Sequence, residues 1–267
     1  MSKAKRRLDV ALVEDGLAPS REKAQALILA GRALVDGVRR DKAGFSVPEG
    51  ARVELAPGER LFASRGGLKL DGALDRLGLD PAGLRCLDVG ASTGGFTDVL
   101  LRRGAVHVTA VDVGKGLIDP RLAADPRVFV VEELNARDMR PEDVRPPYDL
   151  ATIDVSFISL VHIVPRVVPL APNGRVLAMV KPQFEVGRRE ASRGEGVIRD
   201  PALRAAAVEK IARAFVDLGW GIEDAAASPV AGPKGNREVF LLAAPGPRLE
   251  ESEWRVRIVA EVGRDGD

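Results

Sequence analysis

Apolar and polar positions in the first part of the chain follow two short helical patterns and then two short strands. Residues 7–13 have the spacing of a short helix, and Ser20 is a suitable N-cap for a second helix. Residues 33–35 (Ala-Leu-Val) and 53–55 (Val-Glu-Leu) have the pattern of short strands, and Asp36-Gly37 indicates a tight turn after the first of them. This pattern predicts a small α+β domain.

From residue 85 onward, apolar runs of strand length alternate with longer segments of helical pattern. Such alternation favours an α/β fold, in which a mainly parallel, doubly wound sheet has helices on both faces. The charged, glycine-containing segment 187–197 is predicted to be a mobile loop over the ligand site. The predicted strands are residues 85–89, 107–113, 127–131, 150–154, 175–181, 221–226 and 238–243, and the predicted helices lie near residues 68–78, 96–103, 159–168 and 201–218.

The motif Pro57-Gly58-Glu59 separates the two patterns and marks a predicted domain boundary. We therefore divide the chain into a first domain of residues 1–59, a linker of residues 60–63 and a second domain of residues 64–267. Residues 1–64 carry 12 Lys and Arg against 9 Asp and Glu, whereas the rest of the chain carries 28 against 30. This positive excess is mild, and alone it does not identify a nucleic-acid partner.

The composition argues against several classes of site and location. Cys86 is the only cysteine, and the chain has two histidines, so we expect neither an intrachain disulfide nor a metal cluster. No apolar segment follows the basic N-terminus, and the most apolar stretch, residues 158–180, is interrupted by prolines and charges. We therefore predict a soluble, cytoplasmic protein with no membrane partner and no metal, and we expect a monomer.

A glycine-rich loop joins the first predicted strand of the sheet to the helix that follows. In doubly wound sheets this loop lies where ligands bind, and its glycines let the backbone approach them. Ser92 stands where a dinucleotide fingerprint has its second glycine, which favours a phosphate-free nucleoside cofactor such as S-adenosylmethionine. A dinucleotide stays the alternative. Asp112 is predicted to bind the ribose, and Asn135 and Asp138 the adenine. The predicted cofactor-binding residues are Asp88, Gly90, Ser92, Thr93, Gly94, Gly95, Phe96, Asp112, Asn135 and Asp138.

Four charged residues are placed where strands end or where loops return to the sheet. Asp154 and Lys181 end two apolar strands, and Glu238 begins the last one. A charge next to an apolar strand is costly unless it is paired or solvated, so these residues together with Lys69 indicate a paired network. A lysine in such a network can remove the proton of a ribose 2′-hydroxyl, and a sulfonium methyl donor needs no metal. The predicted catalytic residues are Lys69, Asp154, Lys181 and Glu238, with Lys181 as the base.

Five motifs in a fixed order resemble those of a known family. They are S-R-G-G-L-K-L at residues 64–70, D-V-G-A-S-T-G-G-F-T at 88–97, I-D-V-S-F-I-S-L at 153–160, V-K-P-Q-F-E at 180–185 and G-P-K-G-N-R-E at 232–238. Over nearly the whole chain they resemble the TlyA family of rRNA 2′-O-methyltransferases, some of which are labelled haemolysins. The resemblance implies a Rossmann-like class I methyltransferase domain of FtsJ-like type with a seven-stranded sheet. It also implies a Lys-Asp-Lys-Glu tetrad that matches the four charged residues above.

The resemblance further implies an N-terminal RNA-binding domain of the type found in a small-subunit ribosomal protein. It implies methylation of cytidine ribose in 23S rRNA, and in some members also in 16S rRNA, so rRNA or ribosomal subunits are the expected partners. The linker Arg60-Leu61-Phe62-Ala63 departs from the Arg-x-Trp-Val of longer members, and Phe62 cannot donate an indole N–H. The predicted phosphate-contacting residues are Arg6, Arg7, Arg21, Lys23, Arg32, Arg39 and Arg40.

Three alternative functions stay open at this point. A membrane-active haemolysin would need an export signal and an amphipathic or spanning segment, and the sequence shows neither. A non-catalytic RNA-binding or ribosome assembly factor has no need of a complete charged tetrad. A small-molecule methyltransferase leaves the basic first domain without a role.

Overall fold

The structure is a computed structural model, and it describes residues 6–18, 20–29, 31–56, 62–187, 190, 194, 196–232 and 234–264. Contacts divide the chain into two units, Met1–Leu61 and Phe62–Asp267. The predicted boundary motif and half of the predicted linker lie outside the described residues, so the domain boundaries stay a prediction. Most of the predicted loop 187–197 also lies outside them.

The first unit contains every element that its sequence pattern predicts. Its elements are β1 (Arg6–Arg7), α1 (Leu8–Glu14), α2 (Arg21–Leu29), β2 (Ala33–Val35), β3 (Val38–Arg39), β4 (Ser46–Val47) and β5 (Val53–Leu55). Strand β2 pairs antiparallel with β3 and β5, and β1 pairs antiparallel with β4. Asp36 and Gly37 have φ angles of 51° and 76°, which the two-residue turn between β2 and β3 requires.

Small aliphatic side chains fill the core of this unit. Ser20 begins α2 as predicted, because its Oγ accepts a hydrogen bond from the Lys23 backbone N–H at 3.2 Å. The pairing of β1 with β4 was not predicted, since two-residue strands carry almost no sequence signal. The buried apolar residues are Leu8, Ala11, Leu12, Ala18, Ala24, Ile28, Ala33, Val35 and Val47.

The second unit is built on a seven-stranded sheet, as predicted. Its strands are β6 (Arg85–Val89), β7 (His107–Val111), β8 (Val128–Val131), β9 (Leu150–Ile153), β10 (Arg175–Val180), β11 (Trp220–Ala227) and β12 (Val239–Pro245). They lie in the order β11-β12-β10-β9-β6-β7-β8, and only β12 runs against the others. The prediction of a mainly parallel sheet is therefore confirmed.

The helices of the second unit cover both faces of the sheet, because apolar clusters lie on each side of it. The predicted helix at residues 159–168 is wrong as one continuous element, because prolines at 165 and 169 break the region into a short helix flanked by 3₁₀ turns. Helix α10 was not predicted. The helices are α3 (Arg65–Leu77), α4 (Gly95–Arg102), α5 (Pro120–Ala123), α6 (Pro141–Val144), α7 (Val164–Val167), α8 (Pro182–Glu185), α9 (Pro201–Val216) and α10 (Glu251–Gly263).

The direction of the strands brings the predicted catalytic residues to one edge of the sheet. Asp154 and Lys181 follow the carboxyl ends of the parallel strands β9 and β10. Glu238 precedes β12, and because β12 is antiparallel its amino end lies at that same edge. Ligands bind beyond this edge in open α/β sheets. Among the described residues, no helix is long and apolar enough to cross a membrane.

Candidate active site

Lys69 and Glu238 form a buried ion pair. Ser64 begins α3 by accepting a hydrogen bond from the Gly66 backbone N–H, and Lys69 follows in the second turn. The Lys69 Nζ donates to Glu238 Oε2 at 2.5 Å, and less than a tenth of either side chain is exposed. A buried charge without a partner would be strongly destabilising, so each residue accounts for the burial of the other.

Lys181 and Asp154 form a second ion pair close to the first. The Lys181 Nζ lies 2.5 Å from Asp154 Oδ1 and also donates to Ser156 Oγ at 2.8 Å. Burial raises the pKa of the Asp154 carboxyl, while the positive charges of Lys181 and Lys69 oppose that rise. The influence of Lys69 on Asp154 means that the two pairs form one electrostatic network.

All four charged side chains line one cavity of about 650 Å³. The glycine-rich loop and α3 form one side of it, and the turns after β9 and β10 form another. Thr93, Gly95 and Phe96 of the predicted cofactor loop line this cavity. The structure therefore brings the predicted tetrad together at a cleft large enough for a nucleoside.

The glycine-rich loop follows the path that its sequence predicts. Gly90 has a φ of 89°, and a Cβ there would lie 2.7 Å from the Asp154 carbonyl oxygen, so only glycine fits between the loop and the end of β9. The Asp112 carboxylate accepts hydrogen bonds from the backbone N–H groups of Ser92 at 2.8 Å and Gly114 at 2.7 Å. Asp112 thus holds the loop in place from the end of the neighbouring strand.

A second cavity of about 500 Å³ adjoins the first. Asp112 and Asn135 line it together with the apolar side chains of Val113, Leu134 and Ile158. A carboxylate, an amide and apolar walls suit a ribose and a purine base. The residues shared by both cavities are Gly90, Ser92, Asp154, Ser156 and Phe157.

Family models match both units of the chain. Residues 62–244 match the FtsJ-like methyltransferase family, and residues 6–53 match the S4 domain. The 16S/23S rRNA (cytidine-2′-O)-methyltransferase TlyA of Mycobacterium tuberculosis is 47% identical over 237 residues, which are 88% of each chain. The chain belongs to the TlyA family. The predicted resemblance and the prediction of a methyltransferase enzyme are confirmed.

Two further relatives carry haemolysin names. Hemolysin A of Brachyspira hyodysenteriae is 37% identical over 87% of this chain and 97% of its own. A solved structure from Streptococcus thermophilus, also named among the hemolysins, is 34% identical with a TM-score of 0.74 and covers 97% of this chain and 96% of its own. The similarity to these relatives therefore extends over most of this chain and includes both of its units.

Of the ten predicted cofactor-binding residues, seven line one of the two cavities, and Asp88, Gly94 and Asp138 line neither of them. Asp112 and Asn135 line the second cavity, whereas Asp138 donates its backbone N–H to the Asn135 carbonyl and is not among the described residues that line either cavity. Asp88 is fully buried and accepts hydrogen bonds from Thr97 at 2.7 Å and Thr152 at 3.3 Å. Gly94 lies at the start of α4 with a φ of 90°. Roles in cofactor binding stay predictions for all of them.

Burial raises the pKa of the Asp88 carboxyl to about 7, although the hydrogen bond from Thr97 opposes the rise. Its negative neighbour Asp154 adds to the rise. The carboxyl faces into the fold, so the described contacts give Asp88 a part in joining β6 to α4.

Two aromatic residues at the cavity mouth were missed by the sequence analysis. The Phe157 side chain is 91% exposed, and its ring centroid lies 5.2 Å from that of Phe184. Phe157 has a φ of 65°, an uncommon conformation for a bulky residue. An aromatic residue three positions after the acidic strand end, in the motif I-D-V-S-F, was the available signal. Ser156, its neighbour, was missed as well.

Several predicted phosphate-contacting arginines of the first unit pair with acids. Arg6 makes two hydrogen bonds to Asp15, at 2.7 and 2.8 Å. Arg7 and Arg21 both donate to the buried carboxylate of Asp9, and Arg7 makes the largest contribution to lowering the Asp9 pKa. The guanidinium of Arg40 lies 4.5 Å from the Phe45 ring centroid. Lys23 and Arg39 are exposed, whereas Arg32 is half-buried. Contacts of all seven residues with RNA stay predictions.

Proposed function

We propose that this protein transfers the methyl group of S-adenosylmethionine to a cytidine 2′-hydroxyl in ribosomal RNA. The observation that carries this proposal is the pair of ion pairs, Lys69–Glu238 and Lys181–Asp154, on the wall of one cavity. The name of the Mycobacterium tuberculosis relative, a 16S/23S rRNA methyltransferase, supports rRNA as the substrate. We propose 23S rRNA as the target and 16S rRNA as a second substrate.

The residues of the second cavity fit the methyl donor. Asp112 would accept hydrogen bonds from ribose hydroxyls, and Asn135 with the apolar walls would hold the adenine. When bound, the donor supplies a methyl group on a positively charged sulfur, which needs no metal for its transfer. Calorimetry should show binding of S-adenosylmethionine, and tight binding of NAD without binding of the methyl donor would favour the dinucleotide alternative.

Lys181 is the proposed base. Lys181 lines the first cavity, and the carboxylate of Asp154, 2.5 Å from its amine, would stabilise the ammonium that forms after proton transfer. Lys69 and Glu238 would hold the ribose on the other side of the cavity. Phe157 offers an exposed ring on which the base of an unstacked nucleotide can stack.

The first unit is proposed to supply RNA affinity. Its match to the S4 domain and its exposed basic residues support a surface that contacts phosphates. Direct base reading is not required of it, because the cavity of the second unit would receive the target nucleotide. An rRNA-modifying enzyme of this kind would act where ribosomes are assembled, in the cytoplasm, and would act as a monomer.

The test is methylation of separated ribosomal subunits with radiolabelled S-adenosylmethionine, followed by mapping of the label. We expect label on a cytidine ribose of 23S rRNA in the large subunit, and the small-subunit reaction shows whether 16S rRNA is a second substrate. Binding of subunits without any transfer of label would overturn the proposal and favour the assembly-factor alternative. Lysis of lipid vesicles by the purified protein would favour the haemolysin alternative.

A further inference from the structure

We infer that Ser156 is a positioning residue for methyl transfer, because it directs the nitrogen of Lys181 toward the acceptor hydroxyl. This inference rests on the proposed function. Lys181 Nζ has two acceptors within hydrogen-bond distance among the described residues, Asp154 Oδ1 at 2.5 Å and Ser156 Oγ at 2.8 Å. All three residues line the first cavity.

The number of hydrogens on the amine explains why two acceptors matter. A neutral lysine amine has two N–H bonds and one lone pair in a tetrahedral arrangement. When Ser156 accepts one N–H group and the charge of Asp154, the ion-pair partner, attracts the other, the lone pair is left in the one remaining direction. The hydroxyl proton then moves to this lone pair as the 2′-oxygen bonds the methyl carbon and the carbon–sulfur bond breaks. Without Ser156, the amine can rotate about its last carbon–nitrogen bond, and the lone pair has no fixed direction.

Hydrogen bonds to the buried carboxylate of Glu185 join the turn that carries Ser156 to the turn that carries Lys181. The Glu185 carboxylate, at the end of α8, accepts from Ser159 Oγ at 2.5 Å, from the Leu160 backbone N–H at 2.7 Å and from Lys210 Nζ at 3.0 Å. Glu185 lies four residues after Lys181, and Ser159 lies three residues after Ser156. The network therefore fastens the turn after β9 to the turn after β10, which are the two turns that carry the serine and the lysine.

Double-mutant kinetics with Lys181→Arg test this role directly. Single-turnover rates would be measured with radiolabelled S-adenosylmethionine and large ribosomal subunits, both saturating. Ser156→Ala should slow transfer about ten- to a hundredfold, the cost of a misaligned reacting group, with unchanged affinity for both substrates. In the Lys181→Arg background, Ser156→Ala should cause no further loss, because an arginine has no lone pair to direct. Ser156→Thr, which keeps the hydroxyl, should recover most of the rate.

Ser228→Ala is the matched control, because Ser228 Oγ donates to the Val230 carbonyl at 2.8 Å and Ser228 lines neither of the two cavities. It should transfer the methyl group at the wild-type rate. A wild-type rate for Ser156→Ala, or the same fold loss in both backgrounds, would overturn the positioning role. Failure of the wild-type protein to methylate rRNA at all would instead overturn the proposed function.

Discussion

At the residue scale, each lysine of the active-site cavity has a carboxylate partner of its own. Lys69 is held by Glu238 and Lys181 by Asp154, and all four side chains are largely buried. Removing one partner of a buried pair leaves an uncompensated charge, which typically costs about 3–5 kcal/mol. Conservative substitutions are therefore the informative ones, because neutral replacements test stability and chemistry together.

Lys181→Arg separates the charge of Lys181 from its ability to accept a proton, since an arginine stays charged in a protein. We expect substrate and methyl-donor affinities close to wild type and a single-turnover rate lower by about 10²–10⁴-fold, the usual contribution of a general base. Lys69→Arg should retain more activity, because a guanidinium can still pair with Glu238. If Lys181→Arg keeps more than about a tenth of the wild-type rate, the base is elsewhere and Lys69 is the next candidate.

Asp88 gives the protein a pH dependence of stability with an unusual sign. Its pKa is raised from 3.8 to about 7 by burial in the folded state. As pH rises from 4 toward 7, the unfolded chain loses this proton while the folded chain keeps it, so the free energy of unfolding falls. Above 7 both states are ionised and the contribution of Asp88 levels off.

Asp88→Asn should remove this dependence, because asparagine resembles the protonated acid at every pH. The free energy of unfolding of the variant minus that of wild type should therefore be larger at pH 8 than at pH 5, as measured by urea unfolding at both values. The control is Asp125→Asn, since Arg127 lowers the pKa of Asp125 and both states are already ionised over this range. A constant difference between wild type and Asp88→Asn would contradict the prediction.

At the element scale, alternating apolar runs were enough to predict all seven strands of the large sheet within two residues at each end. Continuous apolar strands of a buried parallel sheet are distinctive. The apolar spacing of residues 159–168 is helical and predicts one helix, but the prolines of this region forbid a continuous helix. Helix α10 was missed although Trp254, Ile258 and Val262 have the spacing of a buried helical face.

Some residues of the active site could also be predicted from the sequence, and others could not. The tetrad could be predicted because a charge at a strand end is conspicuous, and the direction of the strands then determines where it lies. The motif I-D-V-S-F contains Ser156 and Phe157, but their positions in the site depend on the backbone of a turn, which for Phe157 includes a positive φ. The ion pair of Arg21 with Asp9 was not predicted either, because these two residues are distant in sequence.

Substitution of Glu185 tests the connection between two turns of the active site, because its carboxylate joins them by hydrogen bonds. Glu185→Gln should lower the free energy of unfolding by about 1–3 kcal/mol, because a buried acceptor of three hydrogen bonds loses its charge. It should also slow methyl transfer by loosening the Ser156 turn. The comparison is Glu209→Gln on the same helix as Lys210, where an ion pair with Arg255 at 3.3 Å is more exposed and contributes little. Equal losses from the two substitutions, measured by urea unfolding, would contradict the role of Glu185.

At the scale of the whole molecule, we expect the first unit to provide the affinity for RNA and the second unit to catalyse methyl transfer. A truncated chain that begins at Leu61 would then bind the methyl donor but methylate rRNA poorly. The arginines that bind Asp9 are poor probes of RNA contact, because their removal leaves a buried carboxylate without partners. Exposed basic residues outside that cluster provide a cleaner test.

Lys23→Gln combined with Arg39→Gln is that test in the full-length chain. Each residue is exposed and is predicted to contact phosphate, so the double variant should bind rRNA more weakly. The slope of the logarithm of affinity against the logarithm of salt concentration should fall by about one for each lost contact, because fewer counterions are released. Arg52→Gln is the control, because Arg52 is equally basic but pairs with Glu54 at 2.9 Å and is not predicted to contact RNA. An unchanged slope in the double variant, or an equal reduction with Arg52→Gln, would mean that the phosphates meet another face of the protein.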